Sequence, residues 1–264
     1  MSEPSTTQIL DNSSSENPVF VFMFDFDHTL VDENTDTFVF QDLKPEMMTD
    51  LKNWRHSGLS WTNVMRKVFE KLLSTCTVQQ VTEWMEKCPI SEKTVEFLKE
   101  INKCGHEINI ISDSNMFFIS TILEKHQIRE CISNIHTNTT LVDQQKNTID
   151  ITEYSVAFNK PHTCETCPEN MCKGEIVKEI MNYHLSPHPH HTPNIQFIYC
   201  GDGKNDFCAC KQLRSIDLAL PRKDFTLEKV IESRPTEVSC QIKLWNSFEH
   251  LNEIILEQLK EKSQ

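Results

Sequence analysis

The chain of 264 residues carries 26 lysines and arginines against 39 aspartates and glutamates, a formal net charge of −13 at pH 7. This length is enough to bury the core of one large domain, or of a domain with an insertion. The acidic balance, without a basic run, argues against nucleic acid and anionic membranes as partners. No cationic segment precedes an apolar stretch near the N-terminus, so we predict neither a signal peptide nor a membrane span. The eleven cysteines cannot all pair within one chain, which favours reduced thiols in the cytoplasm.

The first apolar stretch of the chain predicts a buried strand that ends in two acids. Residues 1–18 are rich in Ser, Thr, Glu and Asn and are predicted to be a disordered tail. The run at 19–24 that follows is aromatic and branched, as is typical of a strand buried on both faces of a sheet. Asp25 and Asp27 follow this run, and their spacing of two residues places both side chains on the same face of the strand. Because two buried acids are costly without a cation, we predict a site at this strand end.

The next segment has helical rather than strand periodicity. Apolar residues recur at helical spacing from Trp61 to Leu72, and the segment Thr77–Gln80 has the sequence of a capping box. We therefore predict that residues 38–90 form a helical cap inserted after the first strand. A helix at 91–104 then returns the chain to the sheet.

After residue 104 strands and helices alternate, which predicts a doubly wound (Rossmann-like), mostly parallel α/β sheet with right-handed crossovers. The catalytic core is expected to comprise residues 19–37 and 91–264. The region 138–170 is polar and is expected to be irregular. Strands are predicted at 108–111, 132–135, 195–200, 217–220 and 241–244, and helices at 116–125, 173–184, 204–213 and 247–259.

Polar clusters follow three of the predicted strands and should therefore lie at one edge of the sheet. They are Asp25 with Asp27, the segment 112–115 (Ser-Asp-Ser-Asn), and the segment 201–206 (Gly-Asp-Gly-Lys-Asn-Asp). Three carboxylates, Asp25, Asp27 and Asp202, would repel each other unless a divalent cation lay between them. Their oxygen ligands favour Mg²⁺. A carboxylate beside an acid partner can also attack phosphorus and form an aspartyl-phosphate.

These segments resemble the four motifs of the haloacid-dehalogenase-like phosphatases, in the right order: Asp-Phe-Asp-His-Thr at 25–29, Ser112, Lys173, and the 201–206 segment. The resemblance is closer to the branch of phosphoethanolamine/phosphocholine and pyridoxal-phosphate phosphatases. The segments that carry this closer likeness are 31–36, 111–115, 164–173 and 219–223.

The resemblance implies a role for each matching residue. Asp25 would be the nucleophile and a Mg²⁺ ligand. Asp27 would be the general acid and base, and would bind the metal through its backbone carbonyl. Asp202 would be the third protein ligand, while Ser112 and Lys173 would hold the phosphoryl oxygens. The residues expected to support this site are Thr29, Asn205 and Asp206.

Four positions have a plainer interpretation. Lys173 opens a predicted helix and could be a solvated surface charge, and Ser112 could be an ordinary helix-start hydroxyl. Asp36 and Asp113 match positions that the family uses for the substrate beyond the phosphate, where carboxylates favour an amino- or ammonium-bearing alcohol. The alternative is that Asp36 caps the first insertion helix and Asp113 points away.

A set of soft donors lies just before Lys173. His162, Cys164, Cys167 and Cys172 have a spacing that permits a structural zinc site, but a packed loop of reduced cysteines is the simpler interpretation. The run 188–191 (His-Pro-His-His) is predicted to be a surface loop.

The sequence thus predicts a magnesium-dependent phosphatase for a small phosphorylated metabolite, foremost phosphoethanolamine or phosphocholine. Alternatives on the same fold are pyridoxal phosphate, thiamine monophosphate, phosphoserine or pyrophosphate as substrate. A catalytically silent phosphate-binding regulator is the alternative of another class. The oligomeric state is left open.

Overall fold

The computed structural model describes residues 19–41, 43–186 and 194–262. The predicted tail at 1–18 and the histidine run at 188–191 lie outside these residues. The strands of the described part are β1 Val19–Phe24, β2 Glu107–Asn115, β3 Asn134–Asp143, β4 Thr148–Thr152, β5 Ile195–Gly201, β6 Leu218–Pro221 and β7 Gln241–Ile242.

The helices fall into an insertion group and a sheet group. Between β1 and β2 lie α1 Thr35–Phe38, α2 Met47–His56, α3 Trp61–Leu73, α4 Val78–Met85 and α5 Glu92–Lys103. The later helices are α6 Met116–Lys125, α7 Tyr154–Ala157, α8 Lys173–Leu185, α9 Phe207–Cys210, α10 Thr226–Ser233 and α11 Phe248–Lys262. Short 3₁₀ turns cover Arg129–Cys131, Lys204–Asp206 and Pro235–Glu237. No helix in the described ranges is long and apolar enough to cross a membrane.

The described strands form one seven-stranded sheet in the order β4-β3-β2-β1-β5-β6-β7. Strand β1 lies in the middle and pairs in parallel with β2 on one side and β5 on the other. All the pairings are parallel except that of β3 with β4. The doubly wound, mostly parallel α/β fold predicted from the sequence is confirmed.

Both faces of β1 are buried, as its uninterrupted apolar run predicts. Phe20, Phe22 and Phe24 belong to an apolar cluster shared with the insertion helices, α5, α6 and α11. Val21 and Met23 belong to a second cluster on the opposite face, shared with α8, α9 and α10. Because the side chains of a strand alternate, one strand supplies both layers of the core. Because β1 is the middle strand, the residues that follow Phe24 lie in the middle of the sheet edge formed by the strand ends.

Three parts of the secondary-structure prediction were wrong. The region 138–170 is not irregular, since it completes β3, contributes β4 and forms the short helix α7. The predicted helix at 204–213 is a 3₁₀ turn followed by the four residues of α9. Helix α10 was not predicted, although Leu227 and Ile231 supply a buried face.

Candidate active site

Asp25 follows β1 directly and is held by backbone contacts. Its N–H donates to the Cys200 carbonyl at 2.9 Å, which extends the pairing of β1 with β5. Its Oδ1 accepts from the Phe26 N–H at 2.7 Å, and the residue is only 6% exposed. The chain then reverses at His28, whose φ of +54° lies in the left-handed region. The turn keeps Asp25 and Asp27 at the sheet edge.

The second element of the site is the turn after β5. A Cβ on Gly201 would lie 2.6 Å from Cγ of Asp206, so a larger residue would displace that carboxylate. Asp206 Oδ2 accepts from the N–H groups of Asp202 at 3.1 Å and Gly203 at 2.8 Å, and Oδ1 accepts from the Tyr199 hydroxyl at 2.6 Å. Asp206 therefore fixes the turn that presents Asp202.

Lys173 is the first residue of α8 and is 1% exposed, so the interpretation of a solvated surface charge is wrong. Its Nζ lies 2.8 Å from Asp25 Oδ2 and 2.7 Å from Asp206 Oδ1. Burial acts to lower the pKa of Lys173, but the Asp206, Asp25 and Asp113 carboxylates raise it above its usual value. The lysine is thus a buried cation between two carboxylates, as buried charges require.

Asp25 and Asp202 form a site suited to a hard cation. Carboxylate oxygens of Asp25, Asp202 and Asp206 lie within 4.8 Å of one another. Asp206 accepts four hydrogen bonds, from Lys173, Tyr199 and two backbone amides, which uses its lone pairs. Asp25 and Asp202 are therefore the members of the cluster with lone pairs for a metal.

The pKa shifts show the electrostatic cost of this crowding. Burial, opposed by Lys173 and reinforced by the Asp206 and Asp202 charges, raises the pKa of Asp25 well above its usual value. Burial and the charge of Asp206 raise the pKa of Asp202 to about 7. A divalent cation would favour the ionised form of both groups, and their oxygen ligands fit Mg²⁺.

Asp27 is not a member of the cluster formed by the Asp25, Asp202 and Asp206 carboxylates. Burial raises its pKa to about 6, against the hydrogen bonds from Thr35 that lower it. Its Oδ1 is buried and has no hydrogen-bond partner. Asp27 thus carries a carboxyl group that can change protonation near neutral pH.

The end of β2 and the insertion helices supply the remaining wall. Ser112 lies within β2 rather than at a helix start, and its Oγ accepts from the Ser114 N–H at 3.2 Å. Asp113 accepts a short hydrogen bond from the Asn205 side chain. Its side chain lines the same cavity as Asp25, so it does not point away.

Asp36 does not cap the first insertion helix. That cap is Asn34, whose side chain accepts from the Thr37 N–H, while Asp36 Oδ2 accepts from Trp61 Nε1 at 2.6 Å. Burial and the nearby Asp27 charge raise the pKa of Asp36 to about 8. One oxygen each of Asp36 and Asp113 is buried with no partner.

These side chains surround one cavity of about 180 Å³. Its lining residues are Asp25, Asp27, His28, Asn34, Asp36, Trp61, Ser112, Asp113, Ser114, Lys173, Asp202, Gly203 and Asn205. Of the predicted residues, Thr29 and Asp206 lie behind the lining; Thr29 Oγ1 donates to Asp202 Oδ1 at 3.5 Å. The cavity brings the other predicted site residues together.

The sequence reasoning missed two residues that support this site. Tyr199 is buried inside β5, and no motif marks it. Arg222 donates to the His28 carbonyl at 2.7 Å and pairs with Asp32 at 2.7 Å, so it braces the turn after β1. Its position in the 219–223 segment, which resembles a segment of the phosphatase branch, could have indicated a role for Arg222 at the site.

The predicted set of soft donors is only partly assembled. His162 Nε2 bonds the Pro168 carbonyl at 2.8 Å, and its Nδ1 accepts from the Cys164 N–H at 3.3 Å. The group that the structure brings together is Cys164, Cys167, Cys172 and Cys208. His162 is therefore not part of this group, and Cys208 from α9 is its fourth member.

Comparisons with known proteins agree with this geometry. Residues 20–259 match the family model described as "Putative Phosphatase". The chain is 33% identical over 238 residues to the "Thiamine phosphate phosphatase-like protein" of Arabidopsis thaliana, covering 90% of this chain and 94% of that protein. It is 30% identical over 237 residues to "Pyridoxal phosphate phosphatase PHOSPHO2" of Homo sapiens, covering 86% of this chain and 93% of that protein.

Among solved structures, a phospho-aspartyl intermediate analogue of phosphoserine phosphatase has the same fold. Its TM-score is 0.55 at 19% identity, and the match covers 91% of this chain and 99% of that one. With the motifs, the sheet and the site in agreement, the chain belongs to this phosphatase family, within the haloacid-dehalogenase-like phosphatases, and is a phosphoric monoester hydrolase.

Proposed function

We propose that the protein is a magnesium-dependent phosphatase that hydrolyses small phosphate monoesters of amino- or ammonium-bearing alcohols, foremost phosphoethanolamine and phosphocholine. The observation that carries the proposal is the content of one cavity. It joins Asp25, paired with the buried Lys173, to Asp36 and Asp113, each of which has one buried oxygen without a partner.

In this mechanism Asp25 attacks the phosphorus atom, and the ester bond to the alcohol breaks as the aspartyl-phosphate forms. Asp27 protonates the leaving alkoxide and then takes a proton from the water that hydrolyses the aspartyl-phosphate. A pKa of about 6 suits a group that gives and takes a proton near neutral pH. Lys173, held by Asp206, offsets the negative charge on the phosphoryl oxygens, with Ser112 as a further donor. Mg²⁺, bound by Asp25 and Asp202, would neutralise charge on the transferred group.

The leaving group is proposed from the acids that line the cavity. An unpaired buried carboxylate oxygen is costly. The primary ammonium group of ethanolamine would supply both a charge and N–H donors to Asp36 and Asp113, whereas the quaternary ammonium group of choline would supply the charge alone. Lys173 is the one lysine or arginine among the lining residues, so an anionic leaving group would meet no second cation. The cavity of about 180 Å³ is also smaller than the roughly 300–1,000 Å³ of drug-sized ligand sites.

A second candidate substrate is thiamine monophosphate, the phosphate ester of a cationic heterocycle. Pyridoxal phosphate is a related candidate. Trp61 supports this candidate because an indole lining the cavity next to Asp36 offers a face for a cationic ring. The names of the relatives point the same way. Pyrophosphate, the substrate named for "Inorganic pyrophosphatase 2" of Arabidopsis thaliana, is disfavoured here by the acidic lining.

The test is a panel of kcat/KM values with and without Mg²⁺. The panel comprises phosphoethanolamine, phosphocholine, thiamine monophosphate, pyridoxal phosphate, phosphoserine, pyrophosphate and the neutral-alcohol ester glycerol 3-phosphate. We expect Mg²⁺-dependent release of phosphate, fastest for the first two esters. A preference for pyridoxal phosphate or pyrophosphate would contradict the proposed substrate class, and no turnover of any ester would favour a silent regulator.

Asp36 has a pKa of about 8 in the free protein, and a bound ammonium group would favour its ionised form. Asp36→Asn refines the panel because it removes this charge and hardly changes the shape of the side chain. It should reduce kcat/KM for phosphocholine about fivefold relative to glycerol 3-phosphate, since a partly screened charge pair contributes on the order of 1 kcal/mol. An equal effect on both esters would contradict recognition of the ammonium group by Asp36.

We also propose that the enzyme works in a reducing compartment, the cytoplasm. All eleven cysteines lie in the described part of the chain, and none is in a disulfide.

A further inference from the structure

Four cysteine sulfurs gather on the side of the molecule where α8 and α9 meet. The Sγ atoms of Cys164, Cys167, Cys172 and Cys208 all lie within 4.8 Å of one another, and those of Cys164 and Cys208 are 3.6 Å apart. Four sulfur atoms that are all this close to one another can reach one metal ion. We propose that this cluster is a structural zinc site, with the four thiolates as its complete ligand set.

The spacing of the sulfurs fits zinc and does not fit a disulfide. Zn–S bonds of about 2.3 Å in a tetrahedral site place neighbouring sulfurs about 3.8 Å apart, close to the 3.6 Å between Cys164 and Cys208. A disulfide requires an S–S distance of about 2.05 Å. The sulfurs of Cys164 and Cys208 are therefore separated as metal ligands are, and the other pairs lie within 4.8 Å.

The chemistry of the donors selects the ion. A set of sulfurs with no carboxylate among them favours a soft or borderline ion such as Zn²⁺ over Mg²⁺. Zn²⁺ binds thiolates, so binding releases the thiol protons to solvent and leaves the oxidation state of the sulfurs unchanged. Four protein ligands leave no open position for a substrate, which is typical of a structural rather than a catalytic zinc.

Neighbouring groups support the same geometry. The Thr166 hydroxyl lies 3.1 Å from Cys164 Sγ and 3.0 Å from Cys208 Sγ, so it can donate a hydrogen bond to a thiolate. His162 stays outside the cluster because the Pro168 carbonyl and the Cys164 N–H occupy its ring nitrogens. Cys172 and Cys208 are buried, whereas Cys164 and Cys167 are partly exposed, which leaves a path for the ion.

The cluster joins the two elements that hold the buried lysine of the active site. Cys172 is the N-cap residue of α8, next to Lys173, and Cys208 lies in α9, two residues after Asp206. Helices α8 and α9 touch here: a Cβ on Gly174 would lie 2.6 Å from the Cys208 carbonyl oxygen. Zinc would therefore fix the loop before α8 to both helices and hold Lys173 against Asp206.

The first measurement uses the unmodified protein and does not depend on any variant. Protein purified without added metal should contain one equivalent of zinc by elemental analysis. Exchange for Co²⁺ should give the visible absorption of tetrahedral cobalt bound by thiolates. Removal of zinc should lower kcat and the thermal midpoint of unfolding, because metal binding stabilises the folded state.

The variants locate the ion. Cys164→Ser and Cys208→Ser should each lose zinc, whereas Cys76→Ser, a partly exposed cysteine outside the cluster, should retain it. Asp202→Asn should retain zinc while losing its response to Mg²⁺, which separates this site from the catalytic cation. A variant with alanine at His188, His190 and His191 should also retain zinc, which excludes adventitious binding by that run.

Three results would overturn the proposal. One is purified protein that holds no zinc and takes up neither Zn²⁺ nor Co²⁺ when fully reduced. Another is full zinc content in both cysteine variants of the cluster. The third is an intact mass two hydrogen atoms lighter, with peptide mapping to a disulfide within the cluster. None of these results bears on whether the protein is a phosphatase, which the substrate panel decides.

Discussion

Lys173 lies between Asp25 and Asp206, and this arrangement gives each carboxylate a separate task. Asp206 accepts from the lysine and from the turn after β5, so it positions Lys173 and Asp202 together. Asp25 keeps one oxygen on Lys173 and the other on a backbone amide. Removing one member of such a buried group leaves the remaining charges unpaired, so conservative substitutions are the informative ones.

Asp25→Asn should reduce kcat by at least about a thousandfold while the fold remains, because it removes the nucleophile and hardly changes the volume of the side chain. The amide oxygen can still accept the Phe26 N–H. Steady-state phosphate release and near-ultraviolet circular dichroism check the two parts of this prediction. Asp150→Asn, at an exposed position of β4, is the control. Activity within tenfold of the unmodified protein would mean that another residue is the nucleophile.

Asp36 makes the stability of the metal-free protein depend on pH. Its pKa is raised from 3.8 to about 8, mainly by burial. Between these values the folded state holds a proton that the unfolded state has released, so stability falls as pH rises through this window. The contribution of one such group is up to about 1.4 kcal/mol per pH unit.

Asp36→Asn should therefore make the free energy of unfolding in EDTA less dependent on pH between about 4 and 8. The variant should also be more stable than the unmodified protein at pH 8, because no charge is buried there. Urea denaturation at a series of pH values measures both effects, and Asp150→Asn should leave the slope unchanged. Equal slopes for Asp36→Asn and the unmodified protein would show that Asp36 is not the source.

The acids of the site could be predicted from the sequence because their positions depend on where the strands end. Contacts that depend on tertiary packing could not be predicted. Asp25 and Asp202 directly follow two neighbouring parallel strands, and Asp113 lies near the C-terminal end of a third, so they had to meet at one edge. The bond from Trp61 to Asp36 depends instead on how an insertion helix packs against the sheet. Cys208 joins a cluster that begins 44 residues earlier, a separation that no local spacing indicates.

The hairpin of β3 and β4 connects the sheet to the helical insertion. Asn147, at its turn with φ of +55°, donates to the carbonyls of Leu73 and Cys76 at 2.9 Å and accepts from the Val78 N–H at 2.7 Å. One side chain therefore satisfies the end of α3 and the start of α4. The hairpin is a support for the helices that carry Trp61.

Asn147→Gly should destabilise the protein by about 2 kcal/mol, since it removes three hydrogen bonds but keeps a residue that accepts positive φ. It should also raise KM, because the insertion holds Trp61 at the cavity. Asn159→Gly is the matched control, with φ of +51° at an exposed position. Chemical denaturation and steady-state kinetics measure the two effects. Equal losses in both variants would mean that the backbone, rather than the side-chain bonds, is responsible.

The hairpin was missed because its strands are mostly polar. Strand β3 is rich in Asn and Thr and has only two fully buried residues, Thr137 and Asn138. Strand β4 is different, since Ile149 and Ile151 alternate with exposed residues over five positions. That short alternation was a usable signal for a strand. The polar stretch around it masked the pattern.

For the whole molecule, cation binding should couple to stability. Mg²⁺ at a hundred times its Kd should stabilise the folded protein by about 2.7 kcal/mol, because it relieves the repulsion between Asp25 and Asp202. Thermal unfolding with increasing Mg²⁺ measures this as a rise in the midpoint. Asp202→Asn should show little rise, whereas Asp150→Asn should behave as the unmodified protein. A rise of the same size in Asp202→Asn would place the cation elsewhere.

The division into a core of residues 19–37 and 91–264 and a cap of residues 38–90 remains a prediction. The insertion shares one apolar cluster with the sheet, in which Phe69 of α3 contacts Phe118 of α6 at a ring distance of 5.4 Å. Alternating strands and helices sufficed to predict the fold class. The strand order, with β1 between β2 and β5, follows from pairings that the periodicity alone does not specify.

The central position of β1 has a consequence for synthesis on the ribosome. Its neighbours begin at Glu107 and Ile195, so the strand is made long before either partner can pair with it. A nascent chain therefore carries the apolar segment Val-Phe-Val-Phe-Met-Phe with both edges open until β2 has emerged, and with one edge open until β5 has emerged. Release of chains truncated before residue 195 would expose that segment permanently, and such fragments should depend on chaperones to avoid aggregation.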